Sequence, residues 1–420
     1  MAREYKDSGI EWIGLIPKEW EVNKIGNLYQ VRNEKVSDKD YPPLSVTMNG
    51  IVPQLETAAK TNNGDDRKLV CKGDFAINSR SDRRGSCGVS KYDGSVSLIN
   101  TILKPRGTMN PQYYNWLFHT ELFADEFYRW GHGIVDDLWT TRWQEMKNIS
   151  IVSPSLYEQQ KIADYLDKVC GEVDEMVALQ ETMIEELKAY KQSVITEAVT
   201  KGLNPNAPMR DCGIDWIGEI PEHWGYIKLK SITERIGDGL HGTPIYVPDS
   251  SMYFINGNNL GKKNIEIYAS TNKIDKNEFD KYYIELDLKT ILISLNGTIG
   301  NLSFYNGEDI ILGKSAGYIV LKDHISKEYI YYCLQADNIK EYFLLSLSGT
   351  TIGNLSLRTL RNTPIALPPL DEQRTIATYL DTKCSEIDSL IALKQAKIEE
   401  LKEYKKSVIY EYVTGKKEVI

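Results

Sequence analysis

The side chains best suited to contact an anionic polymer cluster in the first third of the chain. Residues 78–85 read NSRSDRRG and follow a candidate strand, Phe75–Asn78. A turn after a strand can project arginines from a rigid base. Guanidinium groups neutralise phosphate and form paired hydrogen bonds with the edge of guanine. The pattern predicts DNA contacts in this region, although a run of charge can also be an ordinary solvated face. The candidate residues are Asn78, Arg80, Ser81, Arg83, Arg84 and Lys91.

A second group of polar residues lies in the second half of the chain, in three glycine-rich strings. Residues 237–244 read GDGLHGTP, residues 256–259 read NGNN, and residues 294–300 read SLNGTIG. Asparagine and threonine can bind adenine edges and thymine methyl groups, but asparagine next to glycine is also common in turns. The candidates for DNA contact are Asp238, His241, Thr243, Asn258, Asn296, Thr298 and Lys314.

Motifs for catalysis or metal binding are weak. The chain has no GxxxxGK[ST] or GxSxG motif, and no glycine-rich loop paired with the Asn/Asp-Pro-Pro-aromatic tetrapeptide of amino methyltransferases. The six cysteines form no CxxC pair and the five histidines no HxxxH pair. Pro248-Asp249 with Asp287–Lys289 resembles a nuclease metal pattern only faintly. We expect no catalytic residue, no metal and no cofactor in this chain.

An internal repeat supplies the elements that must position the polar groups. Residues 6–20 recur at 210–224, and residues 154–200 recur at 368–414 with well over a third of positions identical. Between the repeated blocks, residues 21–147 and 225–361 show little alignable identity. The chain is therefore a tandem duplication of two similar frames that hold two dissimilar inserts.

The inserts read as mixed strand and helix. Apolar runs between glycine, asparagine and aspartate turns predict strands, and each insert ends in an amphipathic helix before a final strand. The predicted strands are Phe75–Asn78, Val96–Leu103, Tyr253–Ile255, Ile291–Leu295 and Gly317–Leu321. The predicted helices are Pro111–Phe127 and Lys327–Phe343.

The longer repeated block reads as a helix of about 40 residues in each copy, ending near Gly202 and Gly415. Apolar residues at alternating steps of four and three predict a heptad seam, through which the two helices pair with each other. Two helices that each cover their own domain are the alternative. In the first copy the heptad also includes Met176, Met183 and Tyr190. The seam residues are Ile162, Leu166, Val169, Val173, Leu187, Val194, Leu380, Ile387, Ile391, Ile398, Leu401 and Val408.

Charge is segregated along the 420 residues. The net charge is −9, which alone argues against a nucleic-acid binder. Residues 60–106 nevertheless carry ten basic and five acidic side chains, whereas the helix 158–197 carries ten acidic and four basic ones. The acidity thus belongs to the helix and the basicity to an insert. No apolar run reaches the roughly 20 residues of a membrane span, and the first residues lack a signal-peptide core, so we expect a cytoplasmic protein.

Together these features resemble the specificity subunits of type I restriction–modification enzymes. The resemblance rests on the motif GI[ED]WIGxIPxxW at 9–20 and 213–224, on PxLxEQ at 154–159 and 368–373, and on the string DGLHGTP. It covers nearly the whole chain. It implies an α+β fold with two mixed α/β target recognition domains, joined by two long repeated helices that pair as an antiparallel coiled coil with pseudo-twofold symmetry. The implied domains are 1–153, 154–202, 203–367 and 368–420.

The resemblance also implies a function. Each recognition domain would bind one half of a split, asymmetric double-stranded DNA target, and the helices would set the spacer between the halves. The subunit itself would do no chemistry. Two methylation subunits would carry S-adenosylmethionine and modify adenine, and restriction subunits would use ATP and Mg²⁺ to cleave DNA. The alternatives are a self-contained restriction or modification enzyme with an unrecognised active site, and an interaction scaffold that has lost DNA binding.

Overall fold

The computed structural model describes residues 3–54, 64–133, 139–214, 216–347 and 353–419, but not the side chain of Ser81. It forms two compact units. Unit 1 comprises residues 1–181 and 395–420, and unit 2 comprises residues 182–394. Each unit contains one insert together with a part of each long helix. Within the described residues, no helix combines the length and the hydropathy needed to cross a lipid bilayer.

Unit 1 is built on an antiparallel four-stranded sheet in the order β10-β9-β12-β4, beside a three-stranded sheet in the order β11-β8-β5. Its described strands are β1 (Tyr5–Asp7), β2 (Leu15–Pro17), β3 (Glu21–Lys24), β4 (Tyr29–Arg32), β5 (Lys35–Val36), β6 (Leu44–Thr47), β7 (Gly50–Pro53), β8 (Arg67–Val70), β9 (Phe75–Asn78), β10 (Cys87–Val89), β11 (Gly94–Val96), β12 (Asn100–Pro105) and β13 (Ser150–Ser153). Its described helices are α1 (Ile25–Leu28), α2 (Pro111–Phe118), α3 (Glu121–Arg129), α4 (Trp143–Met146) and the start of α5 (Leu156–Lys201).

Unit 2 repeats this plan in a different sequence. Its antiparallel sheet has the order β22-β21-β24-β17, and a second sheet has the order β18-β20-β19-β23. Its described strands are β14 (Met209–Asp211), β15 (Glu219–Pro221), β16 (Gly225–Lys228), β17 (Thr233–Asp238), β18 (Tyr246–Val247), β19 (Met252–Ile255), β20 (Lys273–Ile274), β21 (Thr290–Ser294), β22 (Leu302–Phe304), β23 (Ile310–Leu312), β24 (Ala316–Leu321) and β25 (Pro364–Leu367). Its described helices are α6 (Lys276–Tyr282), α7 (Lys327–Gln335), α8 (Asp337–Leu345), α9 (Leu357–Asn362) and the start of α10 (Leu370–Val413).

Three sequence predictions of elements are wrong in detail. The predicted strand Val96–Leu103 is two strands, because the backbone N–H of Asn100 turns back to the carbonyl of Ser97 (3.1 Å) and the chain passes from one sheet to another. The predicted helix Pro111–Phe127 is two helices, since the Thr120 hydroxyl accepts from the Phe123 N–H and starts α3. Residues 327–343 divide in the same way, because Ala336 is extended.

The repeated PxLxEQ motif ties each long helix to its insert. The Gln159 side chain accepts from the N–H of Asn110 (2.9 Å), the N-cap of α2, and donates to the Pro154 carbonyl (2.8 Å). In unit 2, Gln373 makes the same two bonds with Ser326 and Pro368. Both glutamines are buried. The motif is thus a buried hydrogen-bonded joint between the frame and a dissimilar insert.

The long helices end where glycine predicts. Gly202 and Gly415 have φ of 74° and 72°. After α10, the N–H of Gly415 donates to the carbonyl of Tyr412, and the N–H of Lys416 donates to the carbonyl of Glu411. These two hydrogen bonds are those of a Schellman motif.

The helices pair in antiparallel fashion within each unit. In unit 1, Tyr165 packs on Tyr412, and Asp174 pairs with Lys405 at 2.6 Å. In unit 2, Lys394 lies 3.1 Å from the Met183 sulfur. There Lys191 also pairs with Asp388 at 2.6 Å. As the numbers rise along one helix they fall along the other, so the predicted antiparallel pairing is confirmed.

The buried face follows a different period from the predicted heptad. Nine of the twelve seam residues are buried, and Val169, Leu187 and Ile391 are partly so. However, Met176 and Tyr190 are 51% and 57% exposed. The buried isoleucines and valine recur every eleven residues, at Ile162, Val173, Ile184 and Ile195, and at Ile376, Ile387, Ile398 and Ile409. Eleven residues in three turns nearly match an undistorted helix, whereas a heptad drifts by about 20° per repeat.

Candidate nucleic-acid interface

One edge of unit 2 collects the ends of four strands and the start of a fifth. β24 is antiparallel to β17 and β21, so its start lies beside their ends, while β19 and β23 are parallel and end together. Backbone hydrogen bonds hold the loops in register. Leu240 donates to Leu312 (2.7 Å), Gly313 to Ile255 (2.8 Å) and Leu295 to Ser315 (2.9 Å). We call residues 238–241, 256–259, 294–300 and 312–316 the unit 2 edge.

Glycine allows these loops to pack closely. A Cβ atom on Gly239 would lie 2.1 Å from the carbonyl oxygen of Leu312, and one on Gly237 would lie 2.4 Å from the Tyr318 hydroxyl. A Cβ on Gly313 would lie 2.3 Å from the side-chain oxygen of Asn256. Part of the GDGLHGTP string is therefore needed for backbone approach rather than for contact with a ligand.

Four of the predicted site residues of unit 2 line one hollow of about 460 Å³. They are Asp238, His241, Asn296 and Lys314. His241 Nε2 lies 2.7 Å from the Asp238 carboxylate, so in the neutral ring Nε2 donates and Nδ1 is left as an acceptor. Lys314 is exposed and makes no ion pair with any described residue. The hollow thus offers an imidazole, an amide and a cation side by side.

The other three predicted residues of unit 2 lie outside this hollow. Thr298 donates its hydroxyl to the Gly257 carbonyl at 3.2 Å, which ties two loops of the edge together. Asn258 is exposed in the 3-10 turn 257–259, and Thr243 is exposed beyond the end of the edge. Of these three residues, Thr298 is thus the one whose contact holds the edge together.

In unit 1 the arginine cluster lies on a 3-10 turn at the end of β9, which we call the unit 1 loop (residues 79–86). The side-chain oxygen Oδ1 of buried Asn78 accepts a hydrogen bond from the Arg80 N–H at 3.1 Å, and this bond shapes the turn. Arg80 and Arg83 are exposed, and Arg83 lies 3.8 Å from Asp82. Arg84 forms an ion pair with Asp125 of α3. The side chain of Ser81 lies outside the described residues.

Fewer basic side chains of residues 60–106 are exposed on the surface than the sequence suggests. Arg67 is buried and donates to Ser95 and Leu44, and burial lowers its pKa. Lys68 is half-buried, donates to the Asn100 carbonyl at 2.7 Å, and has its pKa lowered by the same cause. Lys91 follows β10, whose end pairs with the start of β9. The structure therefore does not bring Lys91 together with the arginines.

A segment that the sequence analysis missed supports the unit 1 loop. Thr141 donates its N–H to the Ser79 carbonyl at 3.0 Å, and Thr140 forms β-bridges with Arg80 and with His132. Tyr128 donates its hydroxyl to the Arg80 carbonyl at 2.9 Å, and burial raises the pKa of this phenol. Exposed His132 and Arg142 lie on the same segment.

The unit 2 edge has the same support. Leu355 donates its N–H to the Leu295 carbonyl at 2.7 Å, and Asn296 forms a β-bridge with Asn354. Asn354 and Leu355 line the hollow with Asn296. The two supporting segments could have been found in the sequence only by their position. Each follows the second helix of its insert and precedes the last short helix.

The faint nuclease pattern does not form a metal site. Lys289 is held by Asp323 at 2.7 Å and by Asp287 at 3.4 Å, whereas Asp249 is fully exposed beside Lys273. In the part of the chain that the structure describes, no three His, Cys, Asp or Glu side chains are grouped as metal ligands. The enzyme alternative thus gains no support from these residues.

Comparison with known proteins identifies the family. Residues 17–189 and 240–403 match the family model of the type I restriction modification DNA specificity domain. These segments span most of the chain, so the protein belongs to this family. Because specificity subunits leave catalysis to partner subunits, the prediction that this chain is not an enzyme is confirmed.

One relative matches along nearly its whole length, and another matches over a shorter segment. The MjaVIII type I restriction enzyme specificity subunit of Methanocaldococcus jannaschii is 26% identical, with 98% of this chain and 96% of that protein covered. The EcoBI specificity subunit of Escherichia coli is 30% identical over 30% of this chain and 26% of that protein.

Two solved structures share the fold. One is described as the structural basis of complex assembly and conformational transition of the type I R-M system. It has a TM-score of 0.72 at 15% identity, with 95% of this chain and 98% of that chain covered. The other is the HsdS subunit of Thermoanaerobacter tengcongensis, with a TM-score of 0.53 at 16% identity and the same coverage. The predicted α+β fold with two long helices is confirmed.

Proposed function

We propose that this specificity subunit reads a bipartite DNA target, one half through the unit 1 loop and the other through the unit 2 edge. The observation that carries the proposal is that each insert presents loops at the corresponding place of its own four-stranded sheet, although the two inserts share little alignable sequence. Equivalent surfaces suit two half-sites of one duplex, as in dimeric DNA-binding proteins. Since the side chains of the two surfaces differ, the two half-sites differ as well.

The chemistry of the two surfaces suits different contacts. In unit 1, Arg80 and Arg83 provide guanidinium groups that bind guanine edges or phosphate. In unit 2, Asn296, His241 and Lys314 combine an amide, an imidazole and a cation in one hollow. An amide pairs well with adenine, and a lysine adds attraction to phosphate. The first surface thus favours guanine and the second favours adenine.

The partners belong to the same proposal. The subunit docks two methylation subunits that carry S-adenosylmethionine and modify adenine, and through them restriction subunits that use ATP and Mg²⁺. Exposed apolar side chains on the long helices are suited to such docking. In unit 1 these include Met176, Leu179 and Tyr404, and in unit 2 they include Tyr190, Leu390 and Leu393. A mass measurement of the assembled complex tests the stoichiometry of two methylation subunits.

The reading of DNA is tested by removing the guanidinium groups of unit 1. The complex is assembled with methylation subunits, exposed to DNA of random sequence, and its methylated adenines are mapped. We expect the triple substitution of Arg80, Arg83 and Arg84 by alanine to relax one half-site only. The expected loss is about 1–3 kcal/mol for each bidentate base contact removed. If the triple variant still recognises both halves as before, the assignment of the unit 1 loop is wrong.

The same assay separates the alternatives. A self-contained enzyme would methylate or cleave DNA as the purified chain alone, with S-adenosylmethionine or Mg²⁺ supplied. An interaction scaffold would leave the modified sequence unchanged whatever is done to the arginines. The proposed subunit is inert alone, and in the complex it determines which sequence is modified.

A further inference from the structure

We infer that Arg80 and Asn296 are equivalent specificity-determining residues, the first selecting guanine and the second adenine at the corresponding position of each half-site. This inference rests on the proposed function and deepens it. The equivalence comes from backbone geometry, because the two inserts show little alignable sequence. Arg80 in unit 1 and Asn296 in unit 2 therefore occupy corresponding positions.

Three backbone features establish the equivalence. β9 and β21 occupy the same place in their sheets, between the edge strand β10 or β22 and the central strand β12 or β24. Two residues beyond the end of each strand, Arg80 bridges Thr140 and Asn296 bridges Asn354, both in antiparallel fashion. The neighbouring bonds match too, since Thr141 donates to Ser79 and Leu355 donates to Leu295.

Burial identifies these residues as the first side chains that leave each sheet. In unit 1, Asn78 and Ser79 are 6% and 5% exposed, whereas Arg80 is exposed. In unit 2, Ser294 and Leu295 are 0% and 3% exposed, whereas Asn296 is partly exposed and lines the hollow. In each unit the last strand residue and the residue after it are buried, and the next side chain reaches the surface.

The side chains are available for such a contact. The Arg80 guanidinium makes no ion pair within the described ranges, unlike that of Arg84, which pairs with Asp125. The Asn296 amide makes no hydrogen bond with any described residue, and only its backbone carbonyl accepts, from Ser294 at 3.1 Å. The backbone bridge fixes each Cα while leaving the side chain free. Because each bridge restrains the backbone at this position, little ordering is needed on binding.

The chemistry then assigns the bases. The forked guanidinium of arginine matches the O6 and N7 acceptors of guanine, and the amide of asparagine matches N6 and N7 of adenine. Equivalent positions with these two side chains predict that the half-site of unit 1 has guanine where the half-site of unit 2 has adenine, counted from the methylated base of each half.

The test exchanges the two side chains in the assembled complex. Half-sites of the wild-type target are first assigned to the units with the triple arginine variant. Arg80→Asn is then expected to move one base position of the unit 1 half-site from guanine towards adenine, with about a 5- to 150-fold loss of guanine preference. Asn296→Arg is expected to move one position of the other half-site from adenine towards guanine.

Control positions lie at the far side of the same four-stranded sheets, near the starts of β9 and β21. Lys72→Asn, in the turn before β9, makes the same change of charge as Arg80→Asn, and Asn306→Arg, in the turn after β22, matches Asn296→Arg. Neither is expected to alter any base preference. Arg80→Lys keeps the charge but removes the fork. It is therefore expected to lose guanine preference with a smaller drop in total affinity, and it replaces Arg80→Asn if that complex does not assemble.

Several outcomes overturn the inference while leaving the proposed function standing. They are a unit 1 half-site without guanine, an unchanged preference in both exchanged variants, and a change spread evenly over all positions of a half-site. The proposed function fails separately, if the wild-type complex methylates no split target or if changes in unit 1 and unit 2 alter the same half.

Discussion

At the scale of single residues, the polar strings divide into residues that build loops and residues that can face DNA. Asn78 and Thr298 are occupied in holding turns, while Arg80, His241 and Lys314 remain accessible. Glycines divide in the same way. Gly239 is required by close approach of the backbone, whereas a Cβ atom on Gly242 would have no neighbour outside the adjoining residues nearer than 3.8 Å. Residue type alone could not separate these roles.

We predict that Gly239→Ala destabilises unit 2, and that Gly242→Ala does not. The added Cβ would lie 2.1 Å from the Leu312 carbonyl oxygen, a backbone atom that cannot rotate away. Overpacking of this kind costs about 1–3 kcal/mol or more. Thermal unfolding with hydrogen exchange read at residues 233–238 and 316–321 measures the effect. Equal stability of the two variants would contradict the packing argument.

At the scale of elements, the eleven-residue period of the buried face explains which side chains the helix pair buries. Ile195 is 1% exposed and Tyr190 is 57% exposed, although the heptad assigned Tyr190 to the seam. Both lie on the same helix within unit 2. The apolar pattern was real, but over a short stretch of helix, steps of four and three residues fit both a seven-residue and an eleven-residue repeat.

We therefore predict opposite results for two alanine substitutions in α5. Ile195→Ala should cost about 2–5 kcal/mol, because it leaves a cavity in a packed core. Tyr190→Ala should change stability by about 0.5 kcal/mol or less, as an exposed substitution. Urea unfolding followed by helical circular dichroism compares the two. If Tyr190→Ala proves the more costly, the heptad describes the pairing better.

At the scale of the whole molecule, the charge distribution determines how the subunit meets DNA. The chain carries −9 overall. Residues 158–197 of α5 carry ten acidic and four basic side chains. The surface of unit 1 is less basic than its sequence, since Arg67 is buried and Lys68 half-buried. We therefore expect much of the attraction to phosphate to come from partner subunits.

We predict that the isolated chain binds DNA weakly and with strong sensitivity to salt. At physiological ionic strength the dissociation constant should be no tighter than the range of roughly 10⁻⁴–10⁻⁶ M that is typical of non-specific binding. Fluorescence anisotropy across a salt series, with and without methylation subunits, measures it. Nanomolar binding by the chain alone would show that the subunit supplies its own phosphate clamp.

The sequence by itself determined the duplicated frame, the two long helices with their glycine ends, the dissimilar inserts and the family, because motifs and apolar patterns repeat at a fixed offset. It also determined which short segments carry arginine and asparagine. Only the tertiary structure decided that the unit 1 loop and the unit 2 edge are equivalent, and that Thr140 and Asn354 support them. The physical reason is that strand order and β-bridges join residues about 60 positions apart in the chain, through backbone hydrogen bonds that leave no mark in side-chain composition.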